Sequence, residues 1–149
     1  MTPGKPTSPS GTTSTSHERD LHRHRRFLAL WNSRDQWNER ATTALAKLTA
    51  GGADFCTSSH VMLECGNAAA RMPFRADLIE VREQLRADGK VIVPTEADET
   101  AAWTAYARGE AAEAGVVDHV SFAIMRRLGI TQAFTNDRHF RAAGFEILF

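Results

Sequence analysis

Apolar positions recur along this chain with helical spacing in some stretches and as short unbroken runs in others, and the alternation between the two sketches an architecture. Trp37, Ala41, Leu45 and Leu48 share one helical face, so a helix is predicted to run to about Ala50 and to stop at Gly51 and Gly52. Residues 54–57 read as a short strand. Ser58 or Ser59 then caps a helix through Ala70, and another helix spans 75–87 before Asp88 and Gly89 turn the chain. The run KVIV at 90–93 is a buried strand closed by Pro94. Helices follow over 96–114 and 118–128, then a strand at 133–135, a helical turn at 138–142 and a last strand at 145–148. Strands separated by helices predict an α/β fold with a mostly parallel, helix-covered sheet. Residues 1–16 are Pro, Gly, Ser, Thr and Lys with no apolar period, so 1–20 is expected to be a disordered tail and 21–149 one domain.

Composition narrows the class. A chain of 149 residues with 42% hydrophobic and 24% charged content suits a single soluble domain and excludes a fibre or a membrane bundle. No run nears the roughly 18 apolar residues of a membrane span, and the first residues hold no apolar signal segment, so a cytoplasmic location is expected. Cys56 and Cys65 form neither a disulfide framework nor a CxxC pair and read as small buried thiols. The balanced net charge hides an uneven split: from Phe27 onward there are 13 Lys and Arg against 16 Asp and Glu. A basic nucleic-acid clamp is thereby excluded, and any attraction for a phosphodiester must come from local arginines or from cations held by carboxylates.

Three carboxylates stand out by position. Glu64 lies in VMLECGNAAA at 61–70, a helix small or apolar on every face, where an acid needs an Arg, solvent or a cation. Asp118 opens an apolar helix, and Asp137 follows the strand at 133–135 and opens the next helical turn. Each of the two aspartates also fits a plain N-cap. In a parallel sheet the ligand crevice lies at the carboxyl ends of strands, where Asp137 sits, but sequence order leaves open whether Asp118 joins it. If the acids converge, a divalent cation relieves their repulsion, and hard oxygen ligands favour Mg²⁺ or Mn²⁺.

The runs VDHVSFAIM at 117–125, GITQAFTNDRHF at 129–140 and AGF at 143–145, with FLALWNSRDQW at 27–37 and VMLE at 61–64, resemble bacterial PIN-domain ribonucleases, most closely the toxins of VapBC-type toxin-antitoxin pairs. The resemblance implies a three-layer α/β sandwich and a Mg²⁺- or Mn²⁺-dependent endoribonuclease in which Glu64, Asp118 and Asp137 are catalytic metal ligands. It further implies an RNA substrate, a small antitoxin partner and a homodimer. Thr135 and Asn136 are candidates for orienting water or substrate, and Arg138 and His139 for contacting phosphate. A phosphatase or receiver-type domain fits less well, because Asp-x-Asp and a Lys after a late strand are both missing. A PIN-like binding module without catalysis is the alternative of a different class.

One part of the pattern is broken. The family's first acid should stand at the end of strand one in an Asp-Thr-(Ser/Gly)-Ala run just before Phe27, where this chain has RHRR at 23–26. The codons of LHRHRR at 21–26, advanced by one base, permit Phe-Ile-Asp-Thr-Gly-Ala, the strand and motif that are missing, and the His17 codon permits a start just upstream. A single-base frame slip before Phe27 accounts for this, and it requires CGA as the Arg23 codon. Ionised side chains in a strand buried on both faces cost several kcal/mol each, on the order of a domain's whole stability. Replacing residues 21–26 by Phe-Ile-Asp-Thr-Gly-Ala should therefore raise the melting temperature and create or strengthen Mn²⁺-dependent RNA cleavage. Equal stability and equal cleavage in the two versions would reduce 21–26 to a linker.

Overall fold

The computed structural model describes residues 38–149. The expected tail, the first strand and the replacement for its acid all lie outside the described residues. Helix α1, Asn38–Ala50, ends at Gly51 and Gly52 as its sequence requires. Strand β1, Thr57–Ser58, leads directly into α2, Ser59–Ala69, whose N-cap Ser58 accepts the Val61 N–H at 3.2 Å. Helix α3, Arg75–Ala87, then returns the chain to β2, Val91–Ile92. Thr95 and Asp98 form a reciprocal capping box at the start of α4, Glu96–Ala107.

The single helix expected over 96–114 is broken. Arg108 caps α4, and Gly109 at φ 63° takes the left-handed conformation that closes helices, after which Ala111, Ala112 and Glu113 also have positive φ in the short turn α5, Glu110–Glu113. Good helix formers on both sides of Arg108-Gly109 concealed that stop. Helix α6, Val116–Leu128, starts two residues before Asp118 and ends at Gly129, φ 67°. Strand β3, Gln132–Ala133, helix α7, Arg138–Ala142, and strand β4, Glu146–Ile147, complete the chain.

Both strand pairings are parallel, as the βαβ pattern predicts: Thr57 faces Val91 and Ser58 faces Ile92, while Gln132 faces Glu146 and Ala133 faces Ile147. The strands expected at 54–57 and 133–135 are displaced to Thr57–Ser58 and Gln132–Ala133, and those expected at 90–93 and 145–148 are trimmed to Val91–Ile92 and Glu146–Ile147. Among the described residues no ladder joins β1–β2 to β3–β4. An edge-to-face contact between Phe55 and Phe134, ring centroids 6.3 Å apart, links the two pairs through side chains.

Three apolar clusters surround these strands, and α6 takes part in two of them. Met62, Cys65 and Ala69 of α2 pack with Phe74 and Leu78 and with Val91 of β2. Val120 and Ile124 of α6 meet Ala102 of α4 and Ile92, while Phe122 and Met125 turn to Ala133 and Phe145. A helix buried on two faces must be apolar nearly all round, which is what its sequence shows. Cys65 is buried as expected, and burial pushes its thiol up to about 12, so it is inert. Cys56 is exposed, against expectation, because it precedes the ladder instead of lying within it.

One ion pair ties α4 to α6. Asp98, 5% exposed, accepts from Arg127 Nη2 at 2.8 Å and Nε at 3.1 Å while also accepting the Thr95 N–H at 2.9 Å. The Arg127 hydrogen bonds hold its carboxyl at about 2, below the ordinary 3.8. A depressed folded-state pKa means that the contribution is complete above about pH 4 and is lost as pH falls through about 2. Asp98→Ala should cost about 2 kcal/mol at pH 7, from a lost cap and lost charged hydrogen bonds. The deficit in melting temperature should shrink on acidification, and an undiminished deficit at pH 2 would assign the loss to packing.

Candidate metal centre

Beyond β3 the chain turns sharply, and local hydrogen bonds set the direction of Asp137. The Asp137 N–H donates to Thr135 Oγ1 at 3.0 Å, and Asp137 caps α7 by accepting the His139 N–H at 2.9 Å on Oδ1. The same oxygen lies 2.7 Å from His139 Nδ1. Asp137 is 4% exposed and His139 9%, and Thr135 is also buried, so the turn is built inside the protein at the carboxyl end of β3.

Asp118 reaches the same place from another element. It is the third residue of α6, half-buried, and its Oδ2 accepts the Gly115 N–H at 3.2 Å. The end of α6 is joined to β3 by the Gly129 turn, so the helix runs antiparallel to that strand and its start returns to the strand's carboxyl end. One turn along, Phe122 packs edge-on against Phe140 of α7 at 4.9 Å and, with the rings tilted by 31°, against Phe145 at 5.6 Å. Those contacts press α6 and α7 together. Asp118, Asp137 and His139 consequently offer ligand atoms within 4.8 Å of one another, the one such group among the described residues. Two oxygens on one small divalent ion with bonds of about 2.1 Å stand at most about 4.2 Å apart, so a small rotation would let the two aspartates share one such ion. Capping and convergence are thus compatible.

Glu64 is not a member of that group. It is half-buried on α2, on the helical face it shares with Val61 and Ala68, and α2 packs against α6. Arg138 is exposed beside the cluster. The side-chain Oδ1 of Asn136 is buried with no hydrogen-bond partner among the described residues, an acceptor left open beside Asp137. Sequence reasoning overlooked His119: it is 3% exposed, edge-on to Phe122, and burial holds its imidazole below the ordinary 6.5, so it is neutral at pH 7. Its place directly after Asp118 was the available signal.

The PIN domain profile matches residues 26–146. The chain belongs to the PIN-domain family. Among solved structures this PIN domain is similar to the Mycobacterium tuberculosis VapC20 toxin, described as cleaving the sarcin-ricin loop, with 28% identity and a TM-score of 0.64 over 83% of this chain and 93% of that one. No curated protein matches significantly. The PIN-like α/β fold read from the motifs is therefore borne out, as is the resemblance to VapC-type ribonucleases. PIN-domain nucleases generally use divalent metal ions, and the donor set of this PIN domain has the chemistry for one.

Because Phe122 docks the helix of Asp118 onto the turn of Asp137, Phe122→Leu should lower both the melting temperature and the affinity for Mn²⁺. Phe122→Ala should cost about 3 to 5 kcal/mol. A Phe122→Leu variant that loses stability while binding Mn²⁺ like the parent would separate the aromatic cluster from the metal centre.

Proposed function

We propose that this PIN domain, spanning 21–149, is a Mg²⁺- or Mn²⁺-dependent endoribonuclease of the toxin type. The observation that carries this reading is the convergence of Asp118 and Asp137 at the carboxyl end of β3. These two carboxylates, with Glu64 completing the acidic rim from α2, would hold the ion. A bound divalent cation supplies Lewis acidity, which makes water nucleophilic at neutral pH and offsets charge building on phosphorus. The residues themselves do the rest. Buried Thr135 fixes the backbone of Asp137, the open Asn136 acceptor orients a water, and Arg138 binds a flanking phosphate with the planar fork that arginine brings to such groups.

The target named for the VapC20 neighbour makes a sarcin-ricin loop hairpin the first RNA to test. Toxin-type function also calls for a small antitoxin, a homodimer and a cytoplasmic location. Trp103 and Tyr106, an exposed edge-to-face pair on α4, offer apolar surface for a protein partner. No described helix is long and apolar enough to cross a membrane. The second reading, a PIN-like binding module without catalysis, is favoured by one observation: residues 23–26 are Arg-His-Arg-Arg where the family's first acid belongs.

Asn preserves the caps that both aspartates make while removing their charge. Asp118→Asn and Asp137→Asn should each weaken Mn²⁺ binding by more than about tenfold, the scale of losing even a supporting partner. Neither should unfold the protein, and relief of like-charge repulsion should leave the metal-free melting temperature equal or higher. Calorimetric Mn²⁺ titration and cleavage of the hairpin, on this chain and on the version carrying Phe-Ile-Asp-Thr-Gly-Ala at 21–26, read out both. Absence of Mn²⁺-dependent cleavage in both versions would leave the binding module.

A further inference from the structure

Helix α3 carries the arginines Arg75, Arg82 and Arg86, and all of them fall on one side of it. At about 100° per residue they lie, together with Ile79, within about 60° of one another. Arg71, in the turn ahead of the helix, adds a further exposed cation. A composition rich in arginine would scatter such residues around a helix and would not sort them. Buried Leu78 and half-buried Val81 and Leu85 face the core, so the stripe is turned to solvent. Ile79, 52% exposed, sits in the middle of the stripe. Asp77 and Glu80 lie outside it, and Glu83 stands at its edge, paired with Arg82 and, at 3.5 Å, with Arg86. Arg71 and Arg75 enter no ion pair among the described residues.

We propose that this stripe docks the phosphate backbone of a base-paired RNA stem, anchoring the substrate from an element separate from the metal centre. The proposal rests on the ribonuclease reading. Asp118 and Asp137 stand on α6 and at the end of β3, whereas α3 packs on α2 and β2. From Phe27 onward 16 acids face 13 Lys and Arg, so a polyanion is attracted only where cations are concentrated. Arginines on a rigid helix present charge at fixed intervals, about 10 Å from Arg75 to Arg82 and about 6 Å from Arg82 to Arg86 at the helical rise. Such an array suits the regular phosphates of a duplex better than a strand free to coil. Guanidinium forks grip phosphate oxygens in pairs. The wide, shallow minor groove of an RNA duplex exposes ribose beside phosphate, and Ile79 gives the sugar an apolar contact. An exposed pair such as Arg86–Glu83 is worth little, so exchanging it for a phosphate is cheap. None of these contacts reads a base, and the stem is recognised by its shape and charge.

The test measures binding of a fluorescein-labelled RNA hairpin to the full chain in EDTA, by anisotropy over a salt series, and reads Mn²⁺-dependent cleavage of the same hairpin separately. Arg75→Gln, Arg82→Gln and Arg86→Gln combined should weaken binding about a hundredfold at about 0.1 M salt and lower the slope of log affinity against log salt by about 3. Gln matches Arg in helix propensity, so the melting temperature should hold. Lys at the same three positions should keep the slope, because counterion release counts charge. Unchanged affinity and slope in the Gln variant would overturn the proposal. So would equal weakening, per charge removed, from Lys47→Gln with Arg108→Gln, which would make net charge the cause. A parent that binds the unpaired strand, polyglutamate or phosphatidylserine vesicles as tightly as the hairpin would overturn it too. If the parent and the version with Phe-Ile-Asp-Thr-Gly-Ala at 21–26 both bind through the stripe and never cleave, the ribonuclease reading has failed and the docking surface stands. Cleavage by the Gln variant with an unchanged KM would do the reverse.

Discussion

Phe122 is 1% exposed, and its ring is where the helix of one aspartate and the turn of the other are pressed together. It lies four residues after Asp118, on the same side of α6, and meets Phe140, three residues after Asp137. Edge-to-face packing fixes relative orientation more tightly than an aliphatic contact, because the ring quadrupole favours that geometry. Two carboxylates drawn from elements far apart in function, a helix start and a strand end, are therefore held in register by a contact that contains no charge. Without it, like-charge repulsion between the acids would tend to part them. The Asp98–Arg127 pair then holds the far side of the same helix, so α6 is clamped by aromatics on one face and by charge on another.

The acids have a second duty as caps, and this accounts for their burial. An acid placed in the interior requires donors, and the unsatisfied N–H groups of helix starts are donors already present. Asp137 takes the His139 N–H and Asp118 the Gly115 N–H. The first of these bonds falls on Oδ1 and the second on Oδ2. A local rule of chain folding thus supplies each acid with part of the donor set that its burial requires.

Much of this was legible before any coordinates. Helical spacing located α1, α2 and α3 closely, since Gly51, Ser58 and Gly89 punctuate them with known chemistry. The break after Ala107 was not, because Ala, Glu and Arg are equally at home in a helix and Gly109 alone marks the stop. Asp118 and Asp137 were singled out as candidates, but their convergence depends on α6 running antiparallel to β3, which follows from the connection through Gly129 and not from either residue's neighbours. His139 reads in the sequence as a candidate phosphate contact, since nothing there says that its ring is buried. Burial of its helix, α7, is set in part by packing from α5 and α6, which lie well before it in the sequence.

The charge balance has its own logic. From Phe27 onward acids outnumber Lys and Arg, which by itself repels a polyanion. A site built from carboxylates inverts that sign only when a divalent cation is held, because the ion is then the largest local charge. Affinity for a phosphodiester and affinity for the cation become linked: each ligand binds better in the presence of the other, by the same factor. Exposed Arg138, next to the buried Asp137, keeps one positive group at the rim whether or not the ion is bound. Under the proposed function, the acidic stretch from Phe27 onward would present an electrophilic centre to RNA only while a cation is held at Asp118 and Asp137.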